Sequence, residues 1–450
     1  MSRTAIVCVF CLLLAGCTAP AANPTTNAVG NGAPPDANDP VETTTVPSDS
    51  NATTQSGESG YDIPVSGGSL PIDHERTFGR TIGLLGANAS PPTVLLVKSP
   101  EELASPSGPN GGSGSGQSTT SRTFLGVMGV GQDSGGGERD DGESDDGDDS
   151  RPTGITVAAY VPSAYSVVVN ERLTAPRYER SLERTLAHEY THTVQFQRDA
   201  FTRLQRALSL RDDYSRDTYL VYLGVVEGAG VYTEVAYDRE YLGGRGSPTI
   251  SNAQYRNAPS AAQYSLARYY FGYRYLDARL DSPSGLETVY DDPPRTTEEL
   301  LHNLTPGSEP PKPLSVSTAF TDDRSVGLAD TNGELMTRIF LATELNASRA
   351  SSGADGWGND KVVPVEGPNR SFVWATRWDS PAEANEFETT LTEYLAARGE
   401  QSGDIWLDGP LRFRVVRVSD ESVVLLAGDE SFVRNSSASG SDSTVEVRTE

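Results

Sequence analysis

The sequence predicts an α+β chain of two ordered units, a larger one over residues 73–304 and a smaller α+β unit over 317–432. Three observations carry that expectation. Short β-branched runs come before long stretches of helical periodicity in the first unit. A proline-rich stretch, Thr305–Val316, then interrupts the pattern as a linker would. Beyond it, a helical segment is followed by runs in which apolar side chains alternate to one face.

Taken in order, the chain begins with Arg3 and an apolar run, Ala5–Ala15, too short to span a bilayer and suited to a signal peptide over residues 1–16. The run ends in Leu14-Ala15-Gly16-Cys17, which resembles a lipobox. The resemblance implies that Cys17 carries a lipid and anchors the chain to the outer face of the cell membrane. The other two cysteines, Cys8 and Cys11, precede it, so the body of the protein has no disulfides and no cysteine metal ligands. Residues 17–72 are rich in Thr, Pro, Asn, Ser and Gly. With so few apolar side chains, this segment is expected to be a disordered tether.

In the first unit, strands are expected at Thr93–Val97, Ile155–Val161 and Ser166–Asn170. An insertion over about 105–151, glycine-rich and then acidic, reads as disordered around a short apolar island, Phe124–Val130. Its acidic run, Glu138–Asp149, lacks the glycine that a Ca²⁺ loop needs at its sixth position and is read as solvated. In the second unit, Leu335, Ile339, Ala342 and Leu345 place a helix near Gly333–Ser348. Alternation places strands at Phe372–Trp378 and Leu411–Val415, on either side of a helix at Pro381–Arg398. Asp360 and Asp379 are read as turn or cap residues rather than site residues. The serine-rich tail, 433–450, is expected to be disordered.

The net charge is −26, and lysine occurs only at positions 98, 312 and 361. The absence of a basic stripe argues against nucleic acid as a partner. Acid-rich, lysine-poor chains resemble the proteins of extreme halophiles, in which a carboxylate surface keeps the protein soluble where salt screens its repulsion.

The chemistry is concentrated at His188-Glu189-Tyr190-Thr191-His192, an H-E-x-x-H motif inside the helical pattern T-L-A-H-E-Y-T-H-T-V-Q-F. Imidazoles four residues apart share one helix face, a geometry that lets both bind a single Zn²⁺. Glu189 then stands near the open metal position, where it can take a proton from the attacking water. Further on, Glu227 and Glu234 lie seven residues apart on one helix face, and Val225, Val226, Ala229 and Val231 surround Glu227. A carboxylate in such surroundings costs free energy unless a cation or hydrogen-bond donors compensate it.

The segment Glu227-Gly228-Ala229-Gly230-Val231-Tyr232-Thr233-Glu234 resembles the E-G-x-x-x-Y-x-E motif of gluzincin-type zinc metallopeptidases. Many members carry Ala where Gly230 stands. The resemblance covers about 150 residues, Ile155 to His302, and implies a zincin-like domain, a small sheet packed on active-site helices. It also implies that Glu227 is the third zinc ligand beside His188 and His192. Glu234 is a candidate partner for a metal-bound imidazole. A structural, bridging role for Glu227 is the alternative. The longer gap after His192 implies a helix or loop around Arg203–Leu210.

Three candidates stand for the oxyanion donor: Tyr232, which points away from the Glu227 face; an aromatic helix over Tyr264–Tyr275; and His302, on a helix capped by Thr296. His302 is carried as a candidate catalytic residue, with a structural role as its alternative. The function expected is that of a membrane-anchored zinc endopeptidase acting on protein or peptide substrates. The competing expectation is a cell-surface binding or assembly lipoprotein, with structural zinc closed by a fourth ligand such as His74 or His302.

Overall fold

The structure, a computed structural model, describes residues 17–18, 60–104, 124–130, 157–210, 214–367 and 369–449. The signal segment 1–16, most of the tether and the acidic run Glu138–Asp149 lie outside the described residues. The architecture is α+β, with helices packed on three separate sheets.

The first sheet has five strands in the order Cys17–Thr18, Val157–Ser163, Ser166–Asn170, Val94–Lys98, Val65–Ser66. The central pair is antiparallel, while Val94–Lys98 runs parallel to Ser166–Asn170. Backbone pairing sets Cys17 opposite Ala159 at the edge. A helix, Glu179–Gln197, lies along the Val157–Ser163 strand and carries the H-E-x-x-H motif. Ala200–Ala207 follows, a short helix where a helix or loop is expected around Arg203–Leu210. Next comes Arg216–Tyr241, whose N-terminus is closed by a capping box at Ser215 and Thr218. It is crossed by Ser260–Asp277, the aromatic helix.

That crossing is made backbone to backbone. A Cβ placed on Gly228 would lie 2.6 Å from Cα of Gly272, and one on Gly272 would lie 1.9 Å from the Gly224 carbonyl oxygen. No side chain fits between the two helices at this point, so the aromatic helix sits tight against the helix that carries Glu227.

The second unit is built on a seven-stranded sheet, antiparallel throughout, whose centre is Trp357–Glu366, Ser371–Trp378, Ser422–Gly428 and Leu411–Arg417. The helix Pro381–Arg398 has the expected bounds, but the expected Gly333–Ser348 helix is two, Gly333–Leu341 and Ala347–Ser352. Asn346 breaks it by capping the second, its side chain accepting from Arg349 N. Asp360 has the structural role read from the sequence. Fully buried, it accepts from Asn332 N at 3.1 Å, Gly333 N at 2.9 Å and the indole nitrogens of Trp357 and Trp374 at 3.1 Å each. Asp379 faces Lys312, 3.6 Å away.

Three boundaries differ from expectation. The ordered body begins by residue 60, not 73, because Ile63 is buried and Val65–Ser66 pairs with Leu95–Leu96. Within the insertion, the island Phe124–Val130 is ordered and buried. Phe124 packs 5.6 Å from Phe340 and 5.1 Å from Phe372, while the Tyr394 hydroxyl and the Arg398 guanidinium donate to the Met128 and Val127 carbonyls. A segment of the first unit thus enters the core of the second, and one hydrophobic core runs through both.

The tail is the third correction. Instead of being disordered after 433, it forms Ser436–Gly440 and Thr444–Thr449, an antiparallel pair. The latter strand runs parallel to Ser315–Ala319, which begins within the expected linker. Val445 and Val447 are buried and close a second core over Val373, Ala375, Val424 and Leu426, on the far face of the seven-stranded sheet. Ser371–Trp378 is therefore buried on both faces, not one.

Candidate metal centre

Two helices supply the centre. His188 and His192 project from Glu179–Gln197, with ring centroids 4.8 Å apart, and Glu227 faces them from Arg216–Tyr241. All three are buried and offer ligand atoms within 4.8 Å of one another. Glu227 Oε2 lies 3.5 Å from His188 Nε2 and 3.6 Å from His192 Nε2. Two atoms each about 2.1 Å from an ion, at the tetrahedral angle, lie roughly 3.4 Å apart, so these separations suit a tetrahedral cation. The donor set fits as well. His188 Nε2 and both carboxylate oxygens of Glu227 are buried with no hydrogen-bond partner among the described residues. Buried polar atoms are rarely left so, and here they converge on one point.

Electrostatics favours a cation at that point. Burial alone pushes Glu227 up, yet the facing imidazoles of His188 and His192 hold it well below the usual carboxylate range. Burial likewise lowers His188, but Glu227 and Glu234 outweigh it and raise it to about 10.

Partners outside the triad orient the rings. His188 Nδ1 faces Glu234 Oε2 at 3.7 Å, and Glu234 is itself fixed by an ion pair with Arg184 Nη2 at 2.5 Å and by the Thr249 hydroxyl, which donates at 2.5 Å. Glu234 therefore stands where sequence reasoning placed it. Gln195 was missed. Its Oε1 is 2.7 Å from His192 Nδ1, while its Nε2 donates to the Val226 carbonyl and the Tyr290 hydroxyl is 2.9 Å away. With the amide nitrogen committed to Val226, Oε1 accepts from His192 Nδ1, which leaves Nε2 free for a metal. The i+3 spacing from His192 was the available signal. Glu189 is buried beside His188, close enough for its charge to raise that imidazole.

The aromatic helix forms another wall. The Tyr269 ring centroid is 6.3 Å from that of His188, and the charge of Arg268 bears on Glu227. Arg268 escaped sequence reasoning, because nothing in the local pattern marks which side of an aromatic helix faces a metal. Tyr232 points elsewhere, donating to the Leu280 carbonyl at 2.6 Å.

His302 is a correction. It sits in a different cluster, its Nε2 3.0 Å from the buried Glu334 and 3.3 Å from Asp355, and takes no part in the His188–His192–Glu227 group. Its helix ends at His302, and Gly333–Leu341 brings Glu334 to meet it. His74 is also engaged elsewhere, with Nε2 2.9 Å from the Ile63 carbonyl. Among the described residues, then, the triad gains no fourth His, Cys, Asp or Glu ligand.

Gly230 is where the helix leaves room for the site. A Cβ there would lie 2.4 Å from His188 Nε2, the nitrogen aimed at Glu227. The alanine common in the resembling family thus does not fit this arrangement without moving the ring. Gly230→Ala is expected to lower metal affinity by about ten- to a hundred-fold, the effect of disturbing the orientation of a metal-bound imidazole. Competition against a chromophoric chelator measures it, and unchanged affinity would contradict this geometry.

Residues 324–436 match a family described as a domain of unknown function, DUF8575. No curated protein and no solved structure matches the chain. The matched stretch lies in the second unit and holds Glu334 and Asp360, but none of the metal-centre residues.

Proposed function

We propose that the protein is a zinc-dependent peptidase with a zincin-like first unit, held at the outer face of the cell membrane by a lipid on Cys17. The observation that carries this reading is the convergence of His188, His192 and Glu227 on one point, with His188 Nε2 and both Glu227 oxygens unsatisfied among the described residues and Glu189 buried beside them. Two imidazoles and one carboxylate, with no fourth ligand joining them among the described residues, make up the donor set of catalytic rather than structural zinc. When bound, zinc polarises a carbonyl and makes a coordinated water acidic.

The chain's own residues supply the rest. Glu189 takes a proton from the water that attacks the peptide carbonyl carbon, then passes it to the departing amine nitrogen as the C–N bond breaks. The products are a carboxylate and an amine, with no oxidant or reductant required. Gln195 and Glu234 keep the imidazoles in the tautomer that presents Nε2. Arg268 and Tyr269, on the adjoining wall, are assigned the oxyanion that forms as water adds. Attachment is assigned to the lipid that the lipobox resemblance at Leu14-Ala15-Gly16-Cys17 implies.

Hydrolysis of an unfolded protein substrate in concentrated salt tests the reading. Activity should vanish after chelation and return with about one equivalent of Zn²⁺ but not with Mg²⁺, which demands oxygen-rich octahedral sites. Full activity in the chelated protein would overturn it. A protein that takes up zinc yet cleaves nothing would favour a binding or assembly role.

A further inference from the structure

A cavity of about 240 Å³ lies where helices of the two units meet. Asn252–Asn257 and Ser260–Asp277 wall it on one side, Gly333–Leu341 and Ala347–Ser352 on the other. It shares no residue with the metal triad. Tyr255 and Tyr270 stack within its lining, ring centroids 4.7 Å apart and planes 9° from parallel.

Three arginines, Arg256, Arg274 and Arg338, line this cavity, and no Asp or Glu among the described residues does. In a chain of net charge −26 that is an unusual local balance. Many arginines elsewhere meet carboxylates, as Arg203 meets Glu287 and Asp291, or Arg349 meets Glu386 and Glu393. Arg256 and Arg274 form no ion pair among the described residues. Arg274 is nonetheless held in place. Its Nη1 donates to the Tyr270 hydroxyl at 3.0 Å, that hydroxyl is 2.8 Å from Asn252 Oδ1, and the guanidinium lies 5.4 Å from the Tyr270 ring centroid. Arg338 is anchored from behind by Glu334 through Nε and Nη2, with Nη1 left over.

Like charges around one cavity repel, and an anion between them reverses the sign of that interaction. Guanidinium forks match tetrahedral oxyanions through paired hydrogen bonds, and the two without ion pairs, joined by Nη1 of Arg338, favour a dianion over a single carboxylate. The stacked tyrosines add a flat apolar surface for whatever carries the anion. We propose that this cavity binds a small phosphate- or sulfate-bearing molecule, its oxyanion held by Arg256, Arg274 and Arg338 and its carrier lying against Tyr255 and Tyr270. This site is independent of the peptidase reading.

The test is calorimetric titration of the full-length protein with inorganic phosphate, inorganic sulfate and phenyl phosphate at fixed chloride, beside the double variant R256Q/R274Q. Both arginines are exposed, so the variant should keep the parent's melting profile. Saturable binding is expected, tightest for phenyl phosphate, with affinity lower by about ten-fold or more in the double variant. Whether phosphate or sulfate binds better identifies the oxyanion. The absence of saturable binding for all three, or equal affinity in parent and variant, would overturn the proposal.

Discussion

Glu189→Gln should leave the metal in place and lower the rate of peptide hydrolysis by about 10²- to 10⁴-fold, the usual worth of a positioned general base. The amide is nearly isosteric but cannot take a proton from water. Glu189 is buried beside His188 and lies outside the His188–His192–Glu227 ligand group, so affinity for zinc should change little. Rate measurements with an unfolded substrate, paired with metal content, separate the two effects. Retained activity would remove Glu189 from the chemistry, whereas loss of metal along with activity would show that it supports the site instead.

Asp360→Ala should be the most damaging change in the second unit. The carboxylate receives two backbone N–H groups from the start of the Gly333–Leu341 helix and two indole N–H groups, one from Trp357 on its own strand and one from Trp374 on the adjoining strand, all buried. Removing it strands four donors at once. With about 1–3 kcal/mol for each unsatisfied buried group and partial relief by entering water, the loss is on the order of 4 kcal/mol or more. That is a large share of the roughly 5–15 kcal/mol that holds a domain folded. Denaturant titration followed by tryptophan fluorescence reads it directly, since Trp357 and Trp374 are themselves the donors. Asp360→Asn, which keeps an acceptor oxygen, should cost less. A loss below about 1 kcal/mol for the alanine variant would contradict the four-donor account.

What the sequence made legible was mostly local. His188 and His192 lie one helical turn apart, and Glu227 and Glu234 two turns apart, so a helical reading places each pair on one face. Thr296 likewise caps its helix by accepting from Glu299 N, three residues on. The expectations that failed depended on distant partners. Thr444–Thr449 alternates Val445 and Val447 with polar residues, but the alternation is short and the serines around it read as disorder. Its ordering comes from Ser315–Ala319, almost 130 residues earlier in the chain. Ile63 is buried just before Val65–Ser66, the strand that pairs with Leu95–Leu96, and Phe124 is buried through Phe340 and Phe372. His302 has an ionic partner, Glu334, in the next unit, which no periodicity within its own helix indicates. Gly230 shows a different limit. Small-for-small equivalence with alanine holds for side-chain bulk in a motif match but fails where an imidazole nitrogen occupies the space of the missing methyl, even though alanine is the better helix former.

The most direct measurement for this account is the zinc content of the purified full-length protein beside Glu227→Ala, by mass spectrometry after dialysis against trace zinc. The parent should hold about one equivalent per chain. The variant should hold almost none, because two imidazoles alone make a weak site for zinc. If the parent takes up no zinc, or the variant takes up as much as the parent, the His188–His192–Glu227 centre is not a metal site, and the peptidase reading falls with it.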